Sequence, residues 1–135
     1  MSKLEFQALG KQAREPSRRL EVFPKPPGVE KVVMESDEVT TLCPVTGQPD
    51  WDTVAIEYAP DQSCIESKSL KLYLWSYREE GIFCEAFASR IARDVYDACK
   101  PHWCHVTVIQ KPRGGIKITA TATVGESPGK TSVLP

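Results

Sequence analysis

Apolar and polar positions alternate or cycle along most of the chain, and the period changes at recognisable points. Val29 to Ser36 and Glu38 to Leu42 read as two strands rich in β-branched residues. Trp51, Thr53, Ala55 and Glu57 alternate with Val54, Ile56 and Tyr58, which predicts a third strand. From Ser67 to about Glu80 the period becomes helical, with Leu70, Leu74 and Tyr77 at i, i+4 and i+7, and Gly81 breaks it. A second helix is predicted from about Phe83 to Cys99, with Phe83, Phe87, Ile91 and Val95 as its core stripe and Pro101 as its stop. His102 to Gln110 and Ile116 to Val124 read as two further strands joined by Lys111-Pro112-Arg113-Gly114-Gly115, a hairpin-like connection in which the two glycines close a turn or let a ligand approach. The order is strands, two helices, then a strand pair: an α+β layout with helices on one face of an antiparallel sheet.

The ends carry no sustained period. Residues 1–28, with charges and Pro24-Lys25-Pro26-Pro27-Gly28, are expected to form an irregular arm, residues 29–125 the folded domain, and residues 126–135 a frayed tail. A chain of 135 residues suits one domain with a single core. The net charge of −1 argues against binding nucleic acid through bulk positive charge. The N-terminal stretch lacks the apolar core of a signal peptide and no run is long enough to span a bilayer, so the expectation is a cytoplasmic protein with no membrane partner. Five cysteines without a tight framework fit free thiols in a reducing compartment.

Two clusters carry the candidate chemistry. The first, Leu42-Cys43-Pro44-Val45-Thr46-Gly47-Gln48-Pro49-Asp50, has a backbone restricted by Gly and two prolines, which suits a fixed nucleophile. The second, Glu66-Ser67-Lys68-Ser69-Leu70-Lys71-Leu72-Tyr73, opens the first helix. It places Lys68 and Lys71 three apart on one face, near backbone N–H groups that favour phosphate. A solvated helix face is the plain alternative for the two lysines. No G-x-G-x-x-G fingerprint follows a strand, so dinucleotide binding of the Rossmann kind is not indicated.

Together, LCPVTGQPD and ESKSLKLY resemble the 7-cyano-7-deazaguanine reductases, the nitrile reductases of queuosine biosynthesis, in their short single-module form. The resemblance continues through GIFCE (Gly81 to Glu85) and PRGG (Pro112 to Gly115), and so spans roughly Val29 to Gly125. It implies the tunnelling fold, in which ββααββ units close into a homo-oligomeric ring, with stacked pentamers as the candidate arrangement. It also implies NADPH as cofactor, a small deazapurine substrate, no direct contact with nucleic acid and no metal. On this resemblance Cys43 is the nucleophile that forms a thioimide with the nitrile, and Asp50 the proton donor. Glu85 would read the N1–H and exocyclic amine of the base, with Ile65, Glu66, Ser67 and Cys84 around it. Lys68, Lys71 and Arg113 would contact the phosphates of NADPH.

One departure stands out. Family members often have histidine immediately before the binding glutamate, and here that position is Cys84. An ordinary thiol, with a pKa of about 8.5, is a poorer proton source near neutrality, so a backbone role is the preferred expectation. Oxidation to a Cys43–Cys84 disulfide is a second expectation for this residue. A Cys99, His102, Cys104, His105 metal set is disfavoured, because a strand would send Cys104 and His105 to opposite faces. Three other functions remain open: an amidinotransferase acting on the same nitrile within tRNA, a zinc cyclohydrolase of the same fold, and a purine- or pterin-binding module without catalysis.

Overall fold

The computed structural model describes residues 15–126. Its elements are β1 (Val22–Pro24), β2 (Val32–Leu42), β3 (Pro49–Ala59), β4 (Ser63–Ile65), α1 (Ser67–Trp75), α2 (Cys84–Cys99), β5 (Trp103–Arg113) and β6 (Ile116–Gly125). The main sheet is antiparallel, in the order β2-β3-β5-β6, and β1 pairs with β4 in a separate two-stranded sheet. Side chains alternate across β3 and β5. Val54, Ile56 and Tyr58, with Cys104, Val106 and Val108, face one core shared with Leu70, Tyr73 and Leu74 of α1 and with Phe87, Ile91 and Val95 of α2. Both helices therefore cover one face of the sheet, as the layout predicts. Each of these large side chains contributes about 1.5–3 kcal/mol by leaving water.

Several boundaries differ from the sequence expectation. Part of the span expected to be an irregular arm is ordered: β1 pairs Val22 with Ile65, Leu20 and Val22 pack on the core, and Arg18 lies 3.6 Å over the Tyr77 ring. The short hydrophobic run Leu20 to Phe23 was too brief to show a period. Residues 1–14 and 127–135, the rest of the arm and nearly all of the tail, lie outside the described residues. The two strands expected before Cys43 are one strand, β2, with a bulge between Ser36 and Val39. Three residues of β2 advance there against two of β3, so the inward phase changes from Met34 and Ser36 to Val39 and Thr41.

The first helix stops at Trp75 rather than near Glu80, because the chain beyond it has another partner. Leu42 donates its N–H to the Glu80 carbonyl at 2.9 Å and accepts from the Ile82 N–H at 3.1 Å, which adds Gly81 in parallel to the free edge of β2. Phe83, expected in the core stripe, is 57% exposed, since it caps α2 in an extended conformation and does not share the helical phase. Gly114 and Gly115 have φ of +60° and +80°, the two-residue turn that matches strand twist, so these glycines serve the hairpin.

Candidate active site

The β2–β3 hairpin presents Cys43 at its tip. The Cys43 N–H donates to the Gln48 carbonyl and the Gly47 N–H to the Cys43 carbonyl, both at 2.8 Å, which closes the loop. Gly47 sits at φ +76°, where a side chain would be strained. A Cβ at Gly81 would lie 3.3 Å from Pro44 Cα, so the 80–82 segment packs directly on the loop. Cys43 is half-buried, and its sulfur faces the Thr46 N–H at 3.5 Å. Hydrogen bonds from the Thr46 hydroxyl and from the Thr46 and Val45 N–H groups hold its thiol below the ordinary cysteine value, against slight burial and the charge of Asp50.

Asp50, expected in the constrained loop, lies instead in β3 opposite Thr41. Alternation places Thr41, Asp50 and Asp52 on the helix-facing side, where all three are buried. Arg113, at the end of β5, reaches back to form an ion pair with Asp50 and donates to the Gln48 side chain at 2.7 Å. Asp52 accepts from the Thr41 hydroxyl at 2.9 Å and faces the Gln110 amide at 3.5 Å. Sequence reading missed Asp52. The available signal was an acid at an inward position of an alternating strand, two residues after Asp50.

The start of α2 completes this cluster. Cys84 is buried, and its thiol faces the Val108 carbonyl at 3.6 Å. Burial, then the charges of Asp52 and Glu85, push it up to about 11. Such a thiol keeps its proton near neutrality. The side chain packs against β5. Glu85 is exposed in the first turn, free of the core. All five cysteines are free thiols.

The remaining predicted residues gather elsewhere. Ile65 is buried and donates its N–H to the Tyr58 hydroxyl at 2.8 Å. Glu66 caps α1: its two carboxylate oxygens accept from the Lys68 N–H at 2.8 Å and the Ser69 N–H at 2.7 Å. Ser67, Lys68 and Lys71 line a groove of about 620 Å³ between α1 and β2, with Arg78, Met34 and Trp75 among its walls. Cations beside apolar and aromatic surface suit a phosphorylated ligand with a flat ring. Arg113 does not join that groove; it is held at the Cys43 end by Asp50 and Gln48. Among the described residues no three His, Cys, Asp or Glu side chains group to hold a metal ion, and Cys104 is buried while His105 bonds Thr123 at 2.7 Å on the other face.

Two helices over one face of an antiparallel sheet, with a half-buried cysteine at a hairpin tip and a buried carboxylate on the adjoining strand, define a tunnelling-fold protein. The chain belongs to the QueF-like protein family, whose profile matches residues 49–128. It is 53% identical over 116 residues to the NADPH-dependent 7-cyano-7-deazaguanine reductase of Syntrophus aciditrophicus, covering 84% of this chain and 82% of that protein. To the reductases of the same name from an Anaeromyxobacter species and Nitrosococcus oceani it is 48% and 46% identical, over 84% and 80% of this chain and 94% and 85% of theirs. The apo crystal structure of an archaeosine synthase, QueF-Like, superposes with a TM-score of 0.69 at 26% identity, covering 77% of this chain and 100% of that one.

Proposed function

We propose that this protein reduces the nitrile of 7-cyano-7-deazaguanine to the primary amine, 7-aminomethyl-7-deazaguanine, with NADPH, in queuosine biosynthesis. The observation that carries the reading is the lowered thiol of Cys43 beside buried Asp50, in a chain about half identical to reductases of that name. The Cys43 sulfur adds to the nitrile carbon, and the nitrogen takes up a proton, giving a thioimide. NADPH, when bound, supplies the hydride for each of the two reductions. Asp50 delivers the protons that the nitrogen needs as hydride reaches the carbon. Cys43 then leaves as thiolate, and the imine is reduced in the same pocket. Glu85 accepts from the N1–H and amine of the base beside Cys84, and Ile65, Glu66 and Ser67, which gather at the start of α1, complete the wall from a second copy in the ring.

Lys68 and Lys71 in the groove fit the phosphates of NADPH, and the apolar wall beside them fits its rings. For Arg113 to contact a phosphate it must exchange the carboxylate of Asp50 for that anion. The catalytic unit on this reading is residues 29–125 with β1 paired onto it, working in the cytoplasm as a homo-oligomeric ring, since a four-stranded sheet leaves β6 with an open edge for a second copy.

The test mixes purified protein with the nitrile and NADPH, following nicotinamide absorbance and intact mass. The reading expects two NADPH consumed per nitrile, and a Cys43-linked adduct when NADPH is omitted. The structural likeness to an archaeosine synthase supports a second reading, amidine formation on the same nitrile; an adduct without NADPH oxidation would favour it. No adduct would remove Cys43 as nucleophile.

A further inference from the structure

Asp52 has no part in the mechanism above, yet it is a buried acid two residues from the proton donor. It is 3% exposed, on the same face of β3 as Asp50 and about 7 Å further along the strand. The groups around it come from every neighbouring element: Thr41 from β2, Asp50 from β3, Gln110 from β5, and Cys84 from α2. Among the described residues no cation pairs with it, whereas Asp50 has Arg113. A carboxylate buried among neutral hydrogen-bonding partners and one other acid favours its protonated form. Burial pushes Asp52 up, the charge of Asp50 adds to this, and the bonds from Thr41 and Gln110 offset part of it.

The reaction proposed above supplies the need. One nitrile, two NADPH and two protons give one amine and two NADP⁺. Each hydride added to carbon is matched by one proton taken up at nitrogen. Cys43 lends its thiol proton as the sulfur adds, leaves as thiolate while both protons stay on nitrogen, and regains a proton from water when product leaves. Asp50, ionised in its pair with Arg113, first carries the Cys43 thiol proton to the nitrogen; a second must then reach it in a pocket that shields the imine from water, so Asp50 must be reloaded within the cycle.

We propose that Asp52 is the proton reserve of this site: it keeps a proton while Asp50 is paired with Arg113, passes it to Asp50 after the first transfer, and is refilled from water when product leaves. A separation of about 7 Å along the strand is within reach of one bridging water. Asp52 acts through Asp50 and is a positioning residue. The inference rests on the nitrile-reductase reading.

The test uses the full chain and two near-isosteric variants, with kcat and KM measured from pH 5 to 9 and adduct formation by intact mass. Asp52→Asn should still form the Cys43 adduct, while kcat falls at least about 10-fold with little change in the KM of the nitrile. Thr41→Val removes a donor that favours ionised Asp52, so the alkaline limb of the kcat profile should move to higher pH. Wild-type kcat and an unmoved profile in Asp52→Asn would overturn the proposal. If that variant does not fold, an unmoved limb in Thr41→Val overturns it equally. If wild-type protein forms no adduct and oxidises no NADPH, the reductase reading fails, and the proposal with it.

Discussion

Glu66 was expected among the substrate-binding residues, and the structure commits both of its carboxylate oxygens to the start of α1. Replacing it with alanine leaves two N–H groups without acceptors beneath a side chain that was only 6% exposed, so water replaces it poorly. Loss of a helix N-cap costs about 1 kcal/mol, up to about 2, and losing the carboxylate from the positive end of the helix adds about 0.3–1. We therefore expect Glu66→Ala to cost about 2–3 kcal/mol. With an unfolding entropy of about 2.1 cal/mol/K per residue, 1 kcal/mol corresponds to roughly 3–4 °C in a chain of this size, so Tm should fall by about 7–10 °C. Glu66→Gln keeps one oxygen acceptor and should lose about half of that. Thermal unfolding by circular dichroism, at fixed protomer concentration because assembly contributes to apparent stability, measures both. A Glu66→Ala protein that melts within about 2 °C of wild type would refute the capping argument. The KM of the nitrile in Glu66→Gln then separates the roles: an unchanged KM makes Glu66 a cap alone, and a large rise makes it a ligand as well.

Three further outcomes are expected. Brief iodoacetamide treatment at neutral pH should modify Cys43 first and leave buried Cys84, Cys99 and Cys104 intact; in Thr46→Val the pH limb of Cys43 alkylation should move up, because a bond that lowers the thiol has been removed, and peptide mass mapping reads both. Arg113→Ala should cost about 1–2 kcal/mol in denaturant unfolding, a buried-pair cost discounted because the guanidinium is more than a third exposed. Arg113→Lys should recover little of it, since one ammonium cannot span Asp50 and Gln48 as the planar fork does; full recovery would show that charge alone matters. Finally, Cys84 at about 11 and Cys99 and Cys104 at about 12 are raised above the ordinary thiol value. Their contribution is whole below about pH 8.5–9, where unfolded thiols begin to ionise, and is lost as pH rises toward 11–12. Denaturant midpoints should fall across that range, and a Cys104→Ala variant should show a shallower fall; a flat midpoint from pH 8.5 to 11 would contradict the burial argument.

Sequence alone determined the kind and order of most elements, because hydrophobic periodicity is written by the same burial that the fold achieves. The stripe Phe87, Ile91 and Val95, the alternation of Val54, Ile56 and Tyr58, and the paired glycines of the last hairpin all fall where their spacing predicts. The motif around Cys43 was likewise legible, since Gly47 and two prolines restrict a loop whatever surrounds it. What tertiary structure decided were the matters set by partners distant in sequence. Residues 80–82 left the helical pattern to pair with Leu42, which shortened α1 and seated Gly81 on Pro44. Val22 to Pro24 became a strand only because β4 offered an edge. The bulge after Ser36 turned Thr41 inward to meet Asp52, and the strand pairing carried Arg113 back to Asp50, 63 residues away. Local pattern encodes which residues seek burial; which carboxylate receives a cation and which is left among neutral neighbours depends on register and chain path, and these exist only once the sheet is assembled.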